Sequence, residues 1–190
     1  MSGFAPSATS LLALLRGINV GGKNKLAMRD LTEIFNAAGC GNVRTFIQSG
    51  NVIFTAPSKV RETLPADIAS AISERFGYRV PVILRTAGQL REVVSGNPFL
   101  SDKPVADQTS KSLHVMFLAD LPEPERLAGL DPARSPGDRF IVRGPHIYLK
   151  LENGVGTSKL TNAWFDSRLA TVSTSRNWMT VNRLLEMMQA

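Results

Sequence analysis

Hydrophobic and polar positions in the first half of the chain follow two different periods. Apolar residues recur every three or four positions in residues 28–38 and 59–76, a spacing that predicts two amphipathic helices. Short apolar or β-branched runs predict strands, and Ser49-Gly50 between two of them predicts a hairpin. The predicted strands of this half are residues 11–16, 43–48, 51–55 and 80–85. The element order is therefore β-α-β-β-α-β, the split βαβ arrangement of ferredoxin-like domains.

The same element order begins again after a short helix at residues 88–95 and a polar stretch at 97–110. The predicted elements here are strands at 112–119, 140–143, 147–151 and 170–173, helices at 124–130 and 158–169, and a terminal helix at 178–188. The repetition concerns element order, and no residue-level repeat accompanies it. We therefore predict an α+β fold of two ferredoxin-like βαββαβ halves in tandem, residues 1–98 and 99–190, with mainly antiparallel sheets and a C-terminal helix.

Composition places the chain among ordinary globular proteins. Hydrophobic residues make up 43% and charged residues 20% of its 190 positions, which is too apolar for a disordered chain. One cysteine, Cys40, and two histidines, His114 and His146, cannot supply a structural zinc site. We expect Cys40 to be a small buried residue, and we expect no metal and no cofactor.

The longest apolar runs argue against a membrane protein. No segment approaches the roughly 20 apolar residues that span a bilayer. The apolar run at residues 11–15 is too short for a signal peptide and has no basic residue before it. We therefore expect a cytoplasmic protein without a membrane partner.

The net charge of +6 lies almost entirely in the first half. Residues 1–98 carry 11 Lys and Arg against 6 Asp and Glu, whereas residues 99–190 carry 11 against 10. A basic surface on the first half favours a phosphate-containing small molecule or a nucleic-acid backbone as partner. The alternative is that the charge serves general solubility.

The most distinctive local signal is a glycine-rich loop at residues 17–25, which follows the first predicted strand. Gly17, Gly22 and Lys23 have the spacing of a phosphate-binding loop, whose backbone amides and lysine hold phosphate. Asn24 stands where a nucleotide hydrolase needs a hydroxyl for Mg²⁺, and the adjacent hairpin predicts antiparallel strands. The sequence thus favours a looser anion-binding loop that uses Asn19, Lys23 and Lys25, with a purely conformational role of the glycines as the alternative.

Two further segments supply polar candidates. Ser49 and Asn51 flank Gly50, although the turn of a hairpin alone explains them. In the second half the candidate anion ligands are Lys159, Arg176 and Asn177. Ser175 or Asn177 also suits the N-cap of the terminal helix, and Trp178 suits its core. We predict that the loop at 17–25 and the segment at 173–178 form one polar cleft.

Four motifs in this order resemble a known family. They are LLRGINVGGKNKLAM at 14–28, FIQSGNVIF at 46–54, NPF at 97–99 and STSRNWMTVNRLL at 173–185. Together they resemble the bacterial domain-of-unknown-function family 1697 over essentially the whole chain. The resemblance implies an α+β fold of two ferredoxin-like halves and assigns no catalytic residue, cofactor or partner.

Three functions follow as hypotheses. The first is binding of a phosphate-bearing or other anionic ligand at the basic glycine-rich loop. The second is a small-molecule enzyme with its site between the two halves, because clefts between domains are common ligand sites. The third is an interaction protein without a ligand. The sequence leaves the presence of an enzymatic activity open.

Overall fold

A computed structural model describes residues 10–100 and 111–190. The chain divides into two compact units, Met1–Gln89 with Glu186–Ala190, and Leu90–Leu185. The division falls inside two helices, so it differs from the predicted halves 1–98 and 99–190. Residues 101–110 of the predicted polar boundary lie outside the described residues.

The first unit contains one βαββαβ sequence of elements. Its elements are β1 (Ser10–Leu15), α1 (Met28–Ala37), β2 (Gly41–Phe46), β3 (Asn51–Thr55), α2 (Ser58–Phe76) and β4 (Val82–Thr86). Within the described residues its four strands lie in the order β2-β3-β1-β4, and every neighbouring pair is antiparallel. This is the predicted ferredoxin-like arrangement.

Alternation along β1 explains how this unit forms its core. Leu11, Ala13 and Leu15 share one face of the sheet and pack in the same buried cluster as Phe35 of α1 and Phe54 of β3. The rings of Phe35 and Phe54 lie 5.2 Å apart and are tilted by 59°. Cys40 belongs to this cluster, as predicted, and burial raises the pKa of its thiol to about 11.

The second unit repeats the arrangement. Its elements are β5 (Leu113–Leu118), α4 (Pro124–Ala128), β6 (Arg139–Arg143), β7 (His146–Lys150), α5 (Asn162–Leu169) and β8 (Ser173–Asn177). The described strands lie in the order β6-β7-β5-β8, again all antiparallel. Two further helices, α3 (Ala87–Ser95) and α6 (Trp178–Gln189), follow the closing strands of the two sheets. The predicted α+β fold of two similar halves is confirmed.

Several predicted boundaries differ from the structure, and those of β2, α5 and β8 differ most clearly. Strand β2 ends at Phe46 because Ile47 has a positive φ of 48°, which no strand residue adopts. Helix α5 begins at Asn162, after Thr161 accepts a hydrogen bond from the Trp164 amide as its N-cap. The closing strand is Ser173–Asn177, whereas residues 170–173 were predicted. Ser175, one of the two predicted cap candidates, is therefore a strand residue.

The structure also reveals a residue-level repeat that the sequence analysis missed. Arg85 in β4 pairs with the third residue of β1, and Arg176 in β8 pairs with the third residue of β5. Both arginines are buried, and each donates a hydrogen bond to the carbonyl of the residue before it. Burial lowers the pKa of each guanidinium to about 10.

The residue after each arginine caps the helix that follows. Thr86 accepts a hydrogen bond from the Gln89 amide, and Asn177 accepts one from the Thr180 amide at 2.8 Å. The predicted cap at Asn177 is thus confirmed, and so is the buried position of Trp178. In each unit, a closing strand passes from a buried arginine through a capping residue into a helix.

Candidate functional site

Three connections meet at one end of the first sheet. In the antiparallel ladders Leu15 pairs with Val82, Leu14 pairs with Asn51, and Asn51 pairs with Phe46. The end of β1, the turn from β2 to β3 and the start of β4 therefore lie at the same end. We call residues 16–27, 46–50 and 77–82 at this position the basic end.

The charge of the basic end is of one sign. It contains Arg16, Lys23, Lys25 and Arg79, and its sequence contains no Asp or Glu. Both lysines are exposed, as is Arg79. The next carboxylate along the chain, Asp30 of α1, accepts a 2.6 Å hydrogen bond from the Arg75 guanidinium. The segments of the basic end therefore contribute four cations and no carboxylate of their own, which favours a positive local potential.

The glycine-rich loop folds back on itself as a small hairpin. The Lys23 amide donates to the Val20 carbonyl at 3.0 Å, and the Asn19 amide donates to the Asn24 carbonyl at 3.1 Å. The Asn24 side chain donates to the Gly17 carbonyl at 3.0 Å. These bonds place Lys23 in a tight turn of its own, which differs from a phosphate loop leading directly from strand to helix.

Asn19 ties the loop to its surroundings. Its side-chain amide donates to the carbonyls of Leu26 at 2.8 Å and Gln48 at 3.0 Å, and its side-chain oxygen accepts from the Leu26 amide at 2.9 Å. The Tyr78 hydroxyl donates to the Lys25 carbonyl at 2.8 Å. The loop is therefore attached to both the β2–β3 turn and the connection between α2 and β4. Asn19 thereby fixes the conformation of the loop that carries Lys23 and Lys25.

The β2–β3 turn is built around Ser49, Gly50 and Asn51. The buried Asn51 side chain donates to the Ser49 hydroxyl at 2.8 Å and to the Phe46 carbonyl at 3.1 Å. The Gly50 carbonyl accepts from the Leu15 amide at 2.8 Å. Ile47 has φ 48°, a conformation that costs a β-branched residue about 1–3 kcal/mol. Ser49 and Asn51 thus shape the turn and hold Ile47 in this strained geometry.

A groove of about 490 Å³ opens between the loop and helix α1. It is lined by Asn19, Gly22, Lys25, Leu26, Ala27, Met28 and Gln48. Ala27 occupies the N-cap of α1 and has no side-chain oxygen, so no capping side chain accepts from the first-turn amides. The groove therefore combines an ammonium group, the amide side chain of Gln48 and the positive end of a helix dipole.

The second-unit candidates have different environments. The Arg176 guanidinium is buried and donates to the Thr174 hydroxyl and the Ser175 carbonyl, each at 2.8 Å. Asn177 is exposed and caps α6, whereas Lys159 has an exposed side chain and an amide that donates to the Ser135 hydroxyl at 3.1 Å. The single cleft joining this segment to the glycine-rich loop stays a prediction.

Sequence reasoning missed several residues of the basic end. Arg16 and Arg79 are distant in sequence, and only strand pairing places them at the same end. Tyr78 was also missed, because nothing in its local sequence indicates that its hydroxyl reaches Lys25. The absence of Asp and Glu from all three connections indicates a basic surface, but only once the strand order shows that the connections lie at one end of the sheet.

Comparisons with known proteins agree with this architecture. The model of the family described as Protein of unknown function (DUF1697) matches residues 8–148. The chain belongs to the DUF1697 family. The conserved bacterial protein SP0830 from Streptococcus pneumoniae has a similar structure, with a TM-score of 0.65 and 19% sequence identity over 97% of this chain and 100% of that chain. That similarity concerns the fold alone. No curated protein matches the chain.

One chemical class, the phosphate-loop hydrolases, fits this DUF1697 structure poorly. Strand β1, which leads into the glycine-rich loop, is antiparallel to both of its neighbours, whereas phosphate-loop hydrolases need parallel strands. In the part of the chain that the structure describes, no three His, Cys, Asp or Glu side chains are grouped to hold a metal ion. Over the same residues, no helix has the length and apolarity needed to cross a bilayer.

Proposed function

We propose that the basic end of the first unit binds a phosphate-bearing ligand. The observation that supports this most strongly is the groove lined by Lys25 and the uncapped start of α1, within a region that has four cations and no carboxylate. Phosphate oxygens accept hydrogen bonds from ammonium groups and from helix N-terminal amides, and both kinds of donor converge here. The proposed setting is the cytoplasm, where phosphate esters and nucleic acids are abundant.

The candidate residues divide into two roles in this proposal. Lys23 and Lys25 provide exposed positive charge, and Lys25 lines the groove itself. Asn19 fixes the loop that carries this charge, and Ser49 and Asn51 shape the β2–β3 turn to which Asn19 is hydrogen-bonded. The ligand therefore contacts the lysines and backbone amides first, and the proposed activity is binding without a catalytic step.

The test is calorimetric titration with inorganic phosphate, a sugar phosphate and a nucleoside monophosphate. Lys25→Ala should weaken binding of the preferred ligand about ten- to a hundredfold, since a hydrogen bond to a charged group contributes about 1.5–3 kcal/mol. Lys59→Ala is the matched control, because Lys59 is an exposed lysine of α2 in the same unit but outside the basic end. Absence of binding by all three probes, or equal loss in the two variants, would contradict the proposal.

A second arm separates a small ligand from a nucleic-acid backbone. Four phosphate contacts to a single-stranded nucleic acid predict a slope of about −3 for log affinity against log salt concentration. A small ligand with one phosphate group predicts a much shallower slope. Lys159→Ala tests the cleft predicted from sequence. Loss of affinity in this variant would assign the second-unit segment to the site, and unchanged affinity would restrict the site to the basic end.

A further inference from the structure

Two exposed aliphatic side chains lie among the cations of the basic end. Val20, next to the glycine pair of the loop, is 64% exposed, and Ile47, in the β2–β3 turn, is 53% exposed. Val20 follows Asn19 and Ile47 precedes Gln48, and both of these neighbours line the groove. A bond of 3.0 Å from the Asn19 side chain to the Gln48 carbonyl holds the two turns together. Val20 and Ile47 are therefore each next in the chain to a residue that lines the groove.

The exposure of Ile47 is imposed by its turn. A β-branched residue rarely adopts a φ of 48°, and local bonds maintain it. The Asn51 side chain holds the Phe46 carbonyl on one side, and the Leu15 amide holds the Gly50 carbonyl on the other. Strained residues of this kind concentrate at binding sites, where the surrounding structure keeps a side chain in an otherwise unfavourable position.

The aromatic side chains at this end are poorly placed to stack on nucleic-acid bases. Phe46 and Tyr78 are each partly buried. The Tyr78 hydroxyl is bonded to the Lys25 carbonyl, and its ring lies 6.2 Å from that of Phe76. Proteins that bind single strands generally use exposed aromatic platforms. Exposed aliphatic groups beside cations instead suit a surface on which phosphate groups cover a layer of hydrocarbon chains.

We propose that the basic end docks on an anionic phospholipid surface. Lys25 and the start of α1 meet a headgroup phosphate, the exposed Lys23 and Arg79 face neighbouring anionic headgroups, and Val20 and Ile47 enter the layer beneath. Cytoplasmic leaflets carry a negative surface potential that attracts clustered Lys and Arg. This inference rests on the proposed phosphate binding. It departs from the expectation of no membrane partner, which considered only segments that span a bilayer.

The experiment is flotation with vesicles of equal parts phosphatidylglycerol and phosphatidylcholine, compared with phosphatidylcholine alone. The test variant is the double substitution Val20→Ser and Ile47→Asn. Asparagine suits the positive φ at position 47, so the fold should be retained. Val155→Ser is the matched control, because Val155 has the same 64% exposure as Val20 but lies in the second unit. A circular dichroism melt of each variant checks folding.

The expected result is binding to the anionic vesicles only, weakened about ten- to a hundredfold in the double variant and unchanged in Val155→Ser. Binding of soluble glycerol phosphate should be unchanged in all three proteins. Vesicle binding by the double variant at the wild-type level would overturn the docking proposal and leave phosphate binding intact. Binding of a single-stranded oligonucleotide without vesicle binding would replace the lipid surface with nucleic acid. Failure to bind either vesicles or glycerol phosphate would contradict the proposed function as well.

Discussion

Replacing Gly50 by alanine should destabilise the first unit and disturb the basic end. Gly50 has φ 73°, and a methyl group added to it would lie 2.7 Å from Leu15 Cβ and 3.0 Å from Ile18 Cδ1. Leu15 Cβ cannot move away without moving β1, so the overlap must be relieved by the backbone. Ile18 lies in the glycine-rich loop, and its displacement would carry the lysines with it.

The loss of stability expected for Gly50→Ala has two parts, which a control variant separates. A left-handed conformation costs alanine about 1–2 kcal/mol relative to glycine, partly offset by the lower entropy of the unfolded chain. Overpacking of a buried site adds about 1–3 kcal/mol. Gly17 has a similar φ of 70° with nothing within 4 Å of the added carbon, so Gly17→Ala should show the conformational cost alone. Gly50→Ala should therefore cost about 1–3 kcal/mol more than Gly17→Ala.

Cys40 provides an assay that reports on the first unit. It is the single cysteine of the chain and is buried in that unit's core. Alkylation of Cys40 in brief pulses across a urea gradient therefore follows unfolding of the first unit. Both tryptophans, Trp164 and Trp178, lie in the second unit, so tryptophan fluorescence follows that unit separately. Equal midpoints for the two alanine variants in the alkylation assay would refute the packing argument.

Three further predictions concern single side chains. Burial lowers the pKa of His114 from its ordinary value of 6.5, against an opposing effect of its hydrogen bond to the Ser112 carbonyl. The imidazole of the unfolded chain therefore binds a proton more readily than that of the folded chain. The contribution of His114 to the free energy of unfolding is fully present above pH 6.5. It is lost as the pH falls through the lowered pKa. Urea midpoints at pH 8 and pH 5 should thus differ less in His114→Gln than in the wild type. Native Cys40 should react with iodoacetamide far more slowly at pH 8 than the unfolded chain, and equal rates would contradict its buried, raised-pKa environment. Asn177→Ala should cost about 1 kcal/mol in the tryptophan-monitored transition because the α6 cap is lost, whereas Asn177→Ser should retain most of the stability.

Hydrophobic periodicity was enough to predict the fold. Strand β1 reads as a continuous apolar run because both of its faces are buried, and the hairpin before Asn51 requires antiparallel pairing. The helix at 28–37 was predictable from its apolar spacing and the glycine that follows it. These signals are local, so they survive in a single sequence.

The errors came where a tertiary contact overrides a local pattern. Ile47 belongs to a β-rich run by composition, but bonds made by Asn51 and Gly50 force it out of the strand. Ser175 suited the N-cap of the terminal helix by its residue type, but pairing with β5 makes it a strand residue. The repeat of Arg85 and Arg176 was invisible because their flanking residues differ, and only the strand register aligns them.

The candidate site was only partly predictable. The lysines of the loop were found from glycine spacing, since that pattern has a physical basis in phosphate recognition. The additional arginines depend on strand order, and the burial of Arg176 depends on which face of β8 it occupies. Charge that is spread over three connections does not form a motif, so the sequence gives no direct signal of the combined surface.

The most direct test of phosphate binding at the basic end is a titration of isotopically labelled protein with inorganic phosphate, followed amide by amide in proton–nitrogen correlation spectra. The amides of Gly21, Gly22 and Lys25 and those of the first turn of α1 should shift in a saturable way, with Lys25→Ala reducing the effect and Lys59→Ala leaving it unchanged. Spectra that do not change with phosphate, or shifts confined to residues 173–178 of the second unit, would contradict the account.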